Sequence, residues 1–416
     1  MKCIAHVMRV AALMLIAAAA CALYWCVILG QASWLSLKVD PAARERATIL
    51  APSSASAWLR LADLRAENGE TVTDCLRRAV GASPQRSEAW IELGLDAEAR
   101  RDFRAAEHDL LRAAEVDRDY VPRWTLANFY FRRGNSQQFF TWARRTLDWG
   151  RGNYDPVFRM CWDLSQDSEQ ILDAVIPARL EVLSDYLNWL GGHNLDAAAP
   201  VAKRLMDRFP QDGRPALLAY CDRLISANHI SGATTFWNSL NDRHIVGSGA
   251  VRLNTITNGD FHSAPANAGF DWRIAAPQGI DVAPTPPGLS LNFPGNQPDR
   301  AEVVNQFAPV RPDASYRLRF DFESSGVEAG SGLRWVAIDA RTNAVLQPAI
   351  PLATLSPPDF ASAASGHGDI TFAVPASTSE DPAVLRLALI YERPPGSAPM
   401  QGWIRLRKVS LEEIAK

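Results

Sequence analysis

The chain has 416 residues, which is long enough for two or three domains that each bury a core of their own. Hydrophobic residues make up 47% of the chain and charged residues 21%, a composition typical of ordered globular proteins and not of disordered ones. The formal net charge of -3 argues against a polyanion-binding protein, so we expect no nucleic-acid partner.

The first predicted element is a membrane-spanning helix near the N-terminus. Residues 10–30 read VAALMLIAAAACALYWCVILG and contain no charge. About twenty apolar residues in a helix span a bilayer core of roughly 30 Å. Lys2 and Arg9 precede this stretch, so the positive-inside rule predicts an N-terminus in the cytoplasm. The rest of the chain is then expected on the periplasmic side of the inner membrane.

Two alternatives to an uncleaved anchor over residues 1–30 stay open: a cleaved signal peptide, and a lipoprotein signal ending at Cys21. The apolar stretch is longer than a usual signal core, and no small-x-small site followed by a polar residue closes it. We therefore favour the anchor, followed by a linker over residues 31–52.

Tryptophans recur at nearly regular spacing in the next region. Trp58, Trp90 and Trp124 are thirty-two and thirty-four residues apart. This period, together with Trp-x2-Leu-Gly, resembles the tetratricopeptide repeat (TPR), a pair of antiparallel helices stacked on its neighbours. The resemblance covers about residues 53–150. Its signature residues are Trp58, Leu61, Ala62, Trp90, Leu93, Gly94, Ala97, Ala106, Leu110, Ala113 and Trp124.

The resemblance implies a role for each kind of signature residue. Two helices that cross closely need a small residue at the contact, so Gly94 is expected against the Ala106 side, while Trp90 and Leu93 fill the space between helix pairs. Helical signals continue beyond Tyr154, so we predict degenerate repeats up to residue 240. A separate small helical bundle is the alternative. TPR arrays are non-catalytic and offer a concave surface, so the resemblance implies a protein or peptide partner.

Beyond a second predicted linker over residues 241–252, the pattern changes to short strands. In YRLRFDFE, Tyr316, Leu318, Phe320 and Phe322 alternate with charged residues, which is typical of a half-buried antiparallel strand. The alternation slips near Arg407, which predicts a β-bulge. Several such strands at short spacing predict a β-sandwich over residues 253–416.

This region resembles a carbohydrate-binding-module-like jelly roll of the galactose-binding type. The similarity lies in TNGDFHSAPANAGFDWRI, NQFAPVRPDASYRLRF and GWIRLRKVSL. It implies glycan contacts by aromatic rings, for which Trp335, Trp403 and Tyr316 are the candidates, with core packing as the alternative for each. Related domains often hold a structural calcium ion. Here His262 and the pair Arg407-Lys408 stand at the expected ligand positions, so we expect no metal.

No catalytic motif is present in the sequence: we find no Ser/His/Asp set, no phosphate-binding loop and no Cys/His zinc spacing. We therefore expect neither catalytic residues nor cofactors. The sequence predicts an anchored protein of two parts, a TPR-like helical solenoid and a β-sandwich. We interpret it as an envelope scaffold beside polysaccharide synthesis or export machinery, binding a protein partner and possible polysaccharide. A glycan receptor with the solenoid as spacer, and a polysaccharide-processing enzyme, are the alternative hypotheses.

Overall fold

The computed structural model describes residues 2–149, 153–327, 332–346, 350–351, 364–377 and 381–414. Side chains are described from Leu13 onward, except at positions 350, 351 and 364. The predicted end of the TPR resemblance at Gly150, and the side chains of Lys2 and Arg9, lie outside the described residues.

Helices occupy the first part of the chain and antiparallel strands the second, as the sequence predicts. The helices are α1 (Lys2–Ser36), α2 (Pro41–Leu50), α3 (Ala55–Glu67), α4 (Thr73–Ala82), α5 (Ser87–Ala99), α6 (Phe103–Val116), α7 (Tyr120–Arg132), α8 (Ser136–Trp149), α9 (Asp155–Ser165), α10 (Ser168–Ala174), α11 (Leu180–His193), α12 (Ala199–Arg208), α13 (Arg214–Ser226) and α14 (Ile230–Asp242). The strands are β1 (Arg273–Ile274), β2 (Asp281–Pro284), β3 (Leu289–Pro294), β4 (Arg300–Val310), β5 (Ala314–Ser325), β6 (Leu333–Asp339), β7 (Ile350–Pro351), β8 (Ala364–Val374), β9 (Ala383–Glu392) and β10 (Gln401–Ile414).

The described chain divides into two compact units, residues 1–177 and 178–416. The division falls between α10 and α11, so the second unit contains four α-helices and a short 3-10 helix (Leu195–Ala198) as well as all the described strands. It does not coincide with the change from helix to strand. The predicted boundaries at residues 240 and 252 stay predictions.

Helix α1 contains a stretch, Leu13–Ser36, that is long and apolar enough to cross a membrane. The region predicted as the first linker, residues 31–52, is helical up to Ser36 and again in α2. Asp40 begins α2 because its carboxylate accepts the Ala43 N–H at 3.1 Å, and Pro41 follows at the first helical position. An Asp-Pro pair is a helix-start signal that the sequence already contains.

Helices of the first unit pack as successive antiparallel pairs, α3 with α4, α5 with α6, and α7 with α8, and each pair contacts the next. This is the arrangement that the TPR-like pattern predicts. Ser54 and Asp102 accept backbone N–H groups at the starts of α3 and α6, which closes the turns between helices.

The strands form two five-stranded sheets whose inner faces share one core. The first sheet has the order β1-β4-β9-β6-β7 and the second β2-β3-β10-β5-β8. Tyr316, Leu318, Phe320 and Phe322 of β5 all point into this core. The register of β10 against β5 shifts between Leu406 and Lys408, so the predicted bulge is confirmed.

Within the second unit, α13 and α14 pack against the loops that open the sandwich. The Trp237 ring of α14 meets Phe270 edge-on at 6.3 Å, and its indole N–H donates to the Gly249 carbonyl at 3.2 Å. The Asp222 carboxylate of α13 accepts the Gly269 N–H at 2.7 Å and pairs with Arg273 at 2.5 Å. Helices and strands of this unit are therefore joined by apolar, hydrogen-bonded and ionic contacts.

Candidate protein-binding surfaces

The signature residues of the repeats form the contacts inside and between the helix pairs. Eight of them are buried: Leu61, Ala62, Leu93, Gly94, Ala97, Ala106, Leu110 and Ala113. A Cβ atom added to Gly94 would lie 2.7 Å from Leu110 Cγ and 3.3 Å from the Ala106 carbonyl oxygen. Glycine suits this position because a larger residue would have to displace the Leu110 side chain from the contact between α5 and α6.

The three signature tryptophans are half-buried, and Trp58 and Trp90 pack against the core of the first repeats, as the resemblance implies. Trp58 donates its indole N–H to the Pro52 carbonyl at 2.9 Å, and Trp90 makes the same bond to Pro84, also at 2.9 Å. Each tryptophan therefore ties its helix to the loop six residues earlier. In the third repeat Trp124 instead stacks on Tyr120, with ring centroids 6.2 Å apart. A Pro-x5-Trp spacing was visible in the sequence and would have indicated these bonds.

Not every tryptophan of the helical region is a core residue. Trp142 and Trp237 are buried, but Trp149 is 68% exposed. Trp149 therefore does not pack in the core of the solenoid.

Carboxylates accumulate on the exposed side of α3 and α5, the first helices of two successive pairs. Asp63, Glu88 and Glu92 are exposed, and of these Glu88 pairs with Arg86 at 2.6 Å. Among the residues that the structure describes, Asp63 and Glu92 have no hydrogen bond or ion pair within 4 Å. Sequence reasoning missed this surface, although their spacing on the two helices could have indicated it.

The electrostatics of this acidic surface are unfavourable in the protein alone. Although Glu92 is exposed overall, partial burial of its carboxyl group raises its pKa, and the charges of Asp63 and Glu88 raise it further. Partial burial also raises the pKa of Asp63, with Glu88 adding to the rise and Arg44 and Arg60 acting in the opposite direction. The carboxylates repel each other, so a cation that came between them would be attracted.

A second candidate surface lies in the second unit, among α12, α13 and α14. It is a cavity of about 630 Å³ with an apolar floor of Met206, Tyr220, Leu224 and Phe236. Small residues of α14 form one wall, and Lys203 stands at the rim. The arrangement can accept an apolar side chain.

Of the three aromatic residues proposed for glycan contact, two belong to the core of the sandwich. Trp335 and Tyr316 are fully buried, Trp335 beside Trp272 and Tyr316 beside Phe372. Neither ring has a face open to a sugar. The prediction of a glycan contact is therefore wrong for Trp335 and Tyr316, and the alternative of core packing holds. Trp403 lies half-buried on β10, where its alternation with the buried Ile404 places it on the outer face of the second sheet.

The place where the jelly-roll resemblance would put a calcium ion contains a mixed set of charges. Asp260, His262, Lys408 and Glu412 line one cavity of about 620 Å³ between the opening loop and β10. Calcium is held by several oxygen ligands, and a lysine ammonium group in the same cavity opposes a second cation. These residues do not fit a calcium ion. Over the described part of the chain, no group of three His, Cys, Asp or Glu residues could hold a metal.

Three acidic side chains of the sandwich have structural partners. Glu323 lies 3.5 Å from Arg407, and Asp369 lies 3.3 Å from Arg317, on the outer face of the second sheet. Asp339 accepts two backbone N–H groups in the turn after β6. In these positions the carboxylates stabilise strands and turns.

Comparison with protein-family models and with curated proteins gives no match. Among solved structures, the chain is similar to PilF of Pseudomonas aeruginosa, with 16% identity over 42% of this chain and 86% of that one, at a TM-score of 0.29. YrrB, a TPR protein with an unusual peptide-binding site, matches with 11% identity over 50% of this chain and 93% of that one, at 0.23. A CBM4 structure matches with 15% identity over 38% of this chain and 99% of that one, at 0.27. No property of these proteins is carried over, because every TM-score is below 0.5.

Proposed function

We propose that this chain is a membrane-anchored, non-catalytic scaffold whose helical repeats bind a protein partner. The observation that carries the proposal is the acidic surface of α3 and α5, where Asp63 and Glu92 are exposed and, among the described residues, make no ion pair within 4 Å. Helical pairs of this kind are stabilised by their own packing, so the charges on the open side are not needed for the fold. The partner that this surface suits carries lysine or arginine.

The remaining parts of the proposal rest on sequence features. The apolar α1 supports an anchor in the inner membrane, with the N-terminus in the cytoplasm and the bulk of the chain in the periplasm. The combination of helical repeats with a sandwich similar to carbohydrate-binding modules supports a place beside polysaccharide synthesis or export machinery, by analogy alone.

The proposal is tested by binding of charged peptides to the full chain in lipid nanodiscs. The probes are a peptide of alternating lysine and alanine and its glutamate counterpart, measured by fluorescence anisotropy at several salt concentrations. The variant is Asp63→Asn with Glu92→Gln. The control is Asp74→Asn with Glu115→Gln, which makes the same change of net charge on α4 and α6.

We expect the lysine peptide alone to bind, and the variant to weaken it. Exposed ion pairs contribute about 0.2–1 kcal/mol each, so losing two corresponds to a Kd raised roughly 2- to 30-fold. The control pair should leave the Kd unchanged. Equal affinity of the wild type and the Asp63/Glu92 variant would contradict the proposal.

A second candidate function is glycan binding by the sandwich, which Trp403 favours because its ring is partly open on an outer sheet face. A glycan array with the full chain and with Trp403→Ala tests it. Binding that is lost in the variant supports a receptor, and absence of binding by the wild type rejects it. Shortening of a polysaccharide by the purified chain would instead support the third hypothesis, an enzyme.

A further inference from the structure

The last turns of α1 are packed against the helical repeats. Ala32 and Ser36 are each only 2% exposed, and α1 contacts both α2 and α3. The Arg60 guanidinium of α3 donates to Ser36 Oγ at 2.7 Å. In contrast, every described α1 residue from Leu13 to Val27 is exposed. From Ile28, which is half-buried, to Ser36, one side of the helix is therefore covered by protein, while its other side stays exposed.

Helix α2 runs back along α1. Only residues 37–40 connect the two helices, and Ala43, Ala47 and Thr48 of α2 are buried beside α1 and α3. Ten residues of helix are about 15 Å long at 1.5 Å per residue. The end of α2 at Leu50 therefore lies level with about Val27 on α1.

The length of α1 leaves no spacer between lipid and protein. The eighteen residues from Val10 to Val27 make a helix about 27 Å long, close to the roughly 30 Å of a bilayer core. Tyr24 and Trp25, both exposed, stand at the end of this stretch, where interfacial aromatic residues are common. The outer boundary of the hydrocarbon core then coincides with the end of α2.

The residues at the end of α2 suit this boundary. Ile49 is 76% exposed although it is apolar. Arg46 lies one turn earlier on the same side of the helix and is also exposed. In the part of the chain that the structure describes, Arg46 has no carboxylate partner. The apolar Ile49, with the unpaired guanidinium of Arg46 one turn farther from the bilayer centre, suits a lipid headgroup layer, because the phosphates lie just outside the acyl chains.

We propose that the corner between α2 and α3, with Ile49 at its tip and Arg46 above it, rests in the headgroup layer of the bilayer that α1 crosses. This inference depends on the membrane anchoring in the proposed function. It assigns a lipid surface as the ligand of the corner, and it places the acidic surface of α3 and α5 close to the membrane with no intervening stalk.

The experiment measures the depth of spin labels on the full chain in vesicles of phosphatidylcholine and phosphatidylglycerol. Cys3, Cys21 and Cys26 are first replaced by alanine, while the three remaining cysteines are buried and are left in place. Single cysteines are then introduced as Ile49→Cys and, in separate chains, as Leu15→Cys and Glu67→Cys. The ratio of oxygen to nickel-chelate accessibility reports whether each label is in lipid or in water.

Leu15 lies within the predicted span, and Glu67 is an exposed residue at the far end of α3. We expect the ratio at Ile49→Cys to be several-fold higher than at Glu67→Cys and closer to that at Leu15→Cys. A ratio at Ile49→Cys equal to that at Glu67→Cys, with Leu15→Cys in lipid, overturns the inference and leaves the anchor intact. If the label at Leu15→Cys is itself in water, the anchor fails and the inference fails with it.

Discussion

Replacement of Gly269 by alanine tests the packing between the helices and the strands of the second unit. Gly269 has a backbone φ of +57°, and a Cβ atom there would lie 2.1 Å from the Trp237 ring. A left-handed backbone costs an alanine about 1–2 kcal/mol. Forcing extra volume against a buried ring costs about 1–3 kcal/mol more. The variant should therefore lose about 2–5 kcal/mol of local stability.

Native-state hydrogen exchange of the full chain measures this loss, because it reports the opening of individual segments and does not require two-state unfolding. Amides of α14 and of residues 267–272 should exchange at least about thirtyfold faster in Gly269→Ala, since 1.4 kcal/mol is a factor of ten.

The matched control is Gly396→Ala. Gly396 has a φ of +81°, but no atom lies within 4 Å of its added Cβ, so this variant carries backbone strain without a collision. Its effect should stay near about 1–2 kcal/mol and be confined to its own turn. Unchanged exchange in α14 of Gly269→Ala would refute the reasoning, because it would mean that the Trp237 ring moves aside without loss.

Four further predictions follow from individual groups. Glu92→Gln should raise the free energy of unfolding at pH 7 by up to about 0.5 kcal/mol, a typical surface effect. The raised pKa of Glu92 means that the folded state favours the protonated acid, so this gain should disappear as the pH falls below the pKa values of the folded and unfolded states. Thermal unfolding at several pH values measures the difference. Tyr316→Phe should lose about 1–2 kcal/mol in exchange measurements of the sandwich, since the hydroxyl that accepts the Arg311 N–H at 2.9 Å is removed; a change below the error of the measurement would contradict the assigned bond. Trp90→Phe should lose about 1 kcal/mol through the missing bond to Pro84, detected as faster exchange of the preceding loop, and an unaltered loop would argue against that bond. Calcium or EDTA should leave the thermal midpoint of the sandwich unchanged, and a rise with calcium would show that the mixed charges at the expected site do hold the ion.

Sequence patterns predicted those features that arise from local periodicity. The alternation in YRLRFDFE predicted β5 with the correct residues inward, and the slip of phase predicted the bulge after Leu406. The Trp-x2-Leu-Gly pattern predicted the helix pairs, and in that frame Gly94 was expected at the helix contact, where the structure places it against Leu110. These features depend on neighbours three, four or two positions apart, which a sequence shows directly.

Features that depend on distant contacts could not be predicted. Phase alone could not decide whether Trp335 packs inward or meets a ligand, since that depends on the opposite sheet, which contributes Phe320 to the core around it. The contact between Trp237 and Gly269 could not be predicted either, because no periodic pattern relates the two positions. The sequence analysis predicted a linker where α2 lies, although Asp40 and Pro41 form a helix-start signal. A short charged segment after an apolar stretch also has the composition of a linker.

The burial of Ala32 and Ser36 has a mechanical consequence. Because the final turns of α1 are packed against α2 and α3, we expect α1 and the first repeat to move together as one rigid body. Bilayers of different thickness change the tilt of a spanning helix. With α1 across a bilayer as proposed, the same rotation would tilt α3 and α5 above the lipid, so that bilayer thickness would change the direction in which the acidic surface faces.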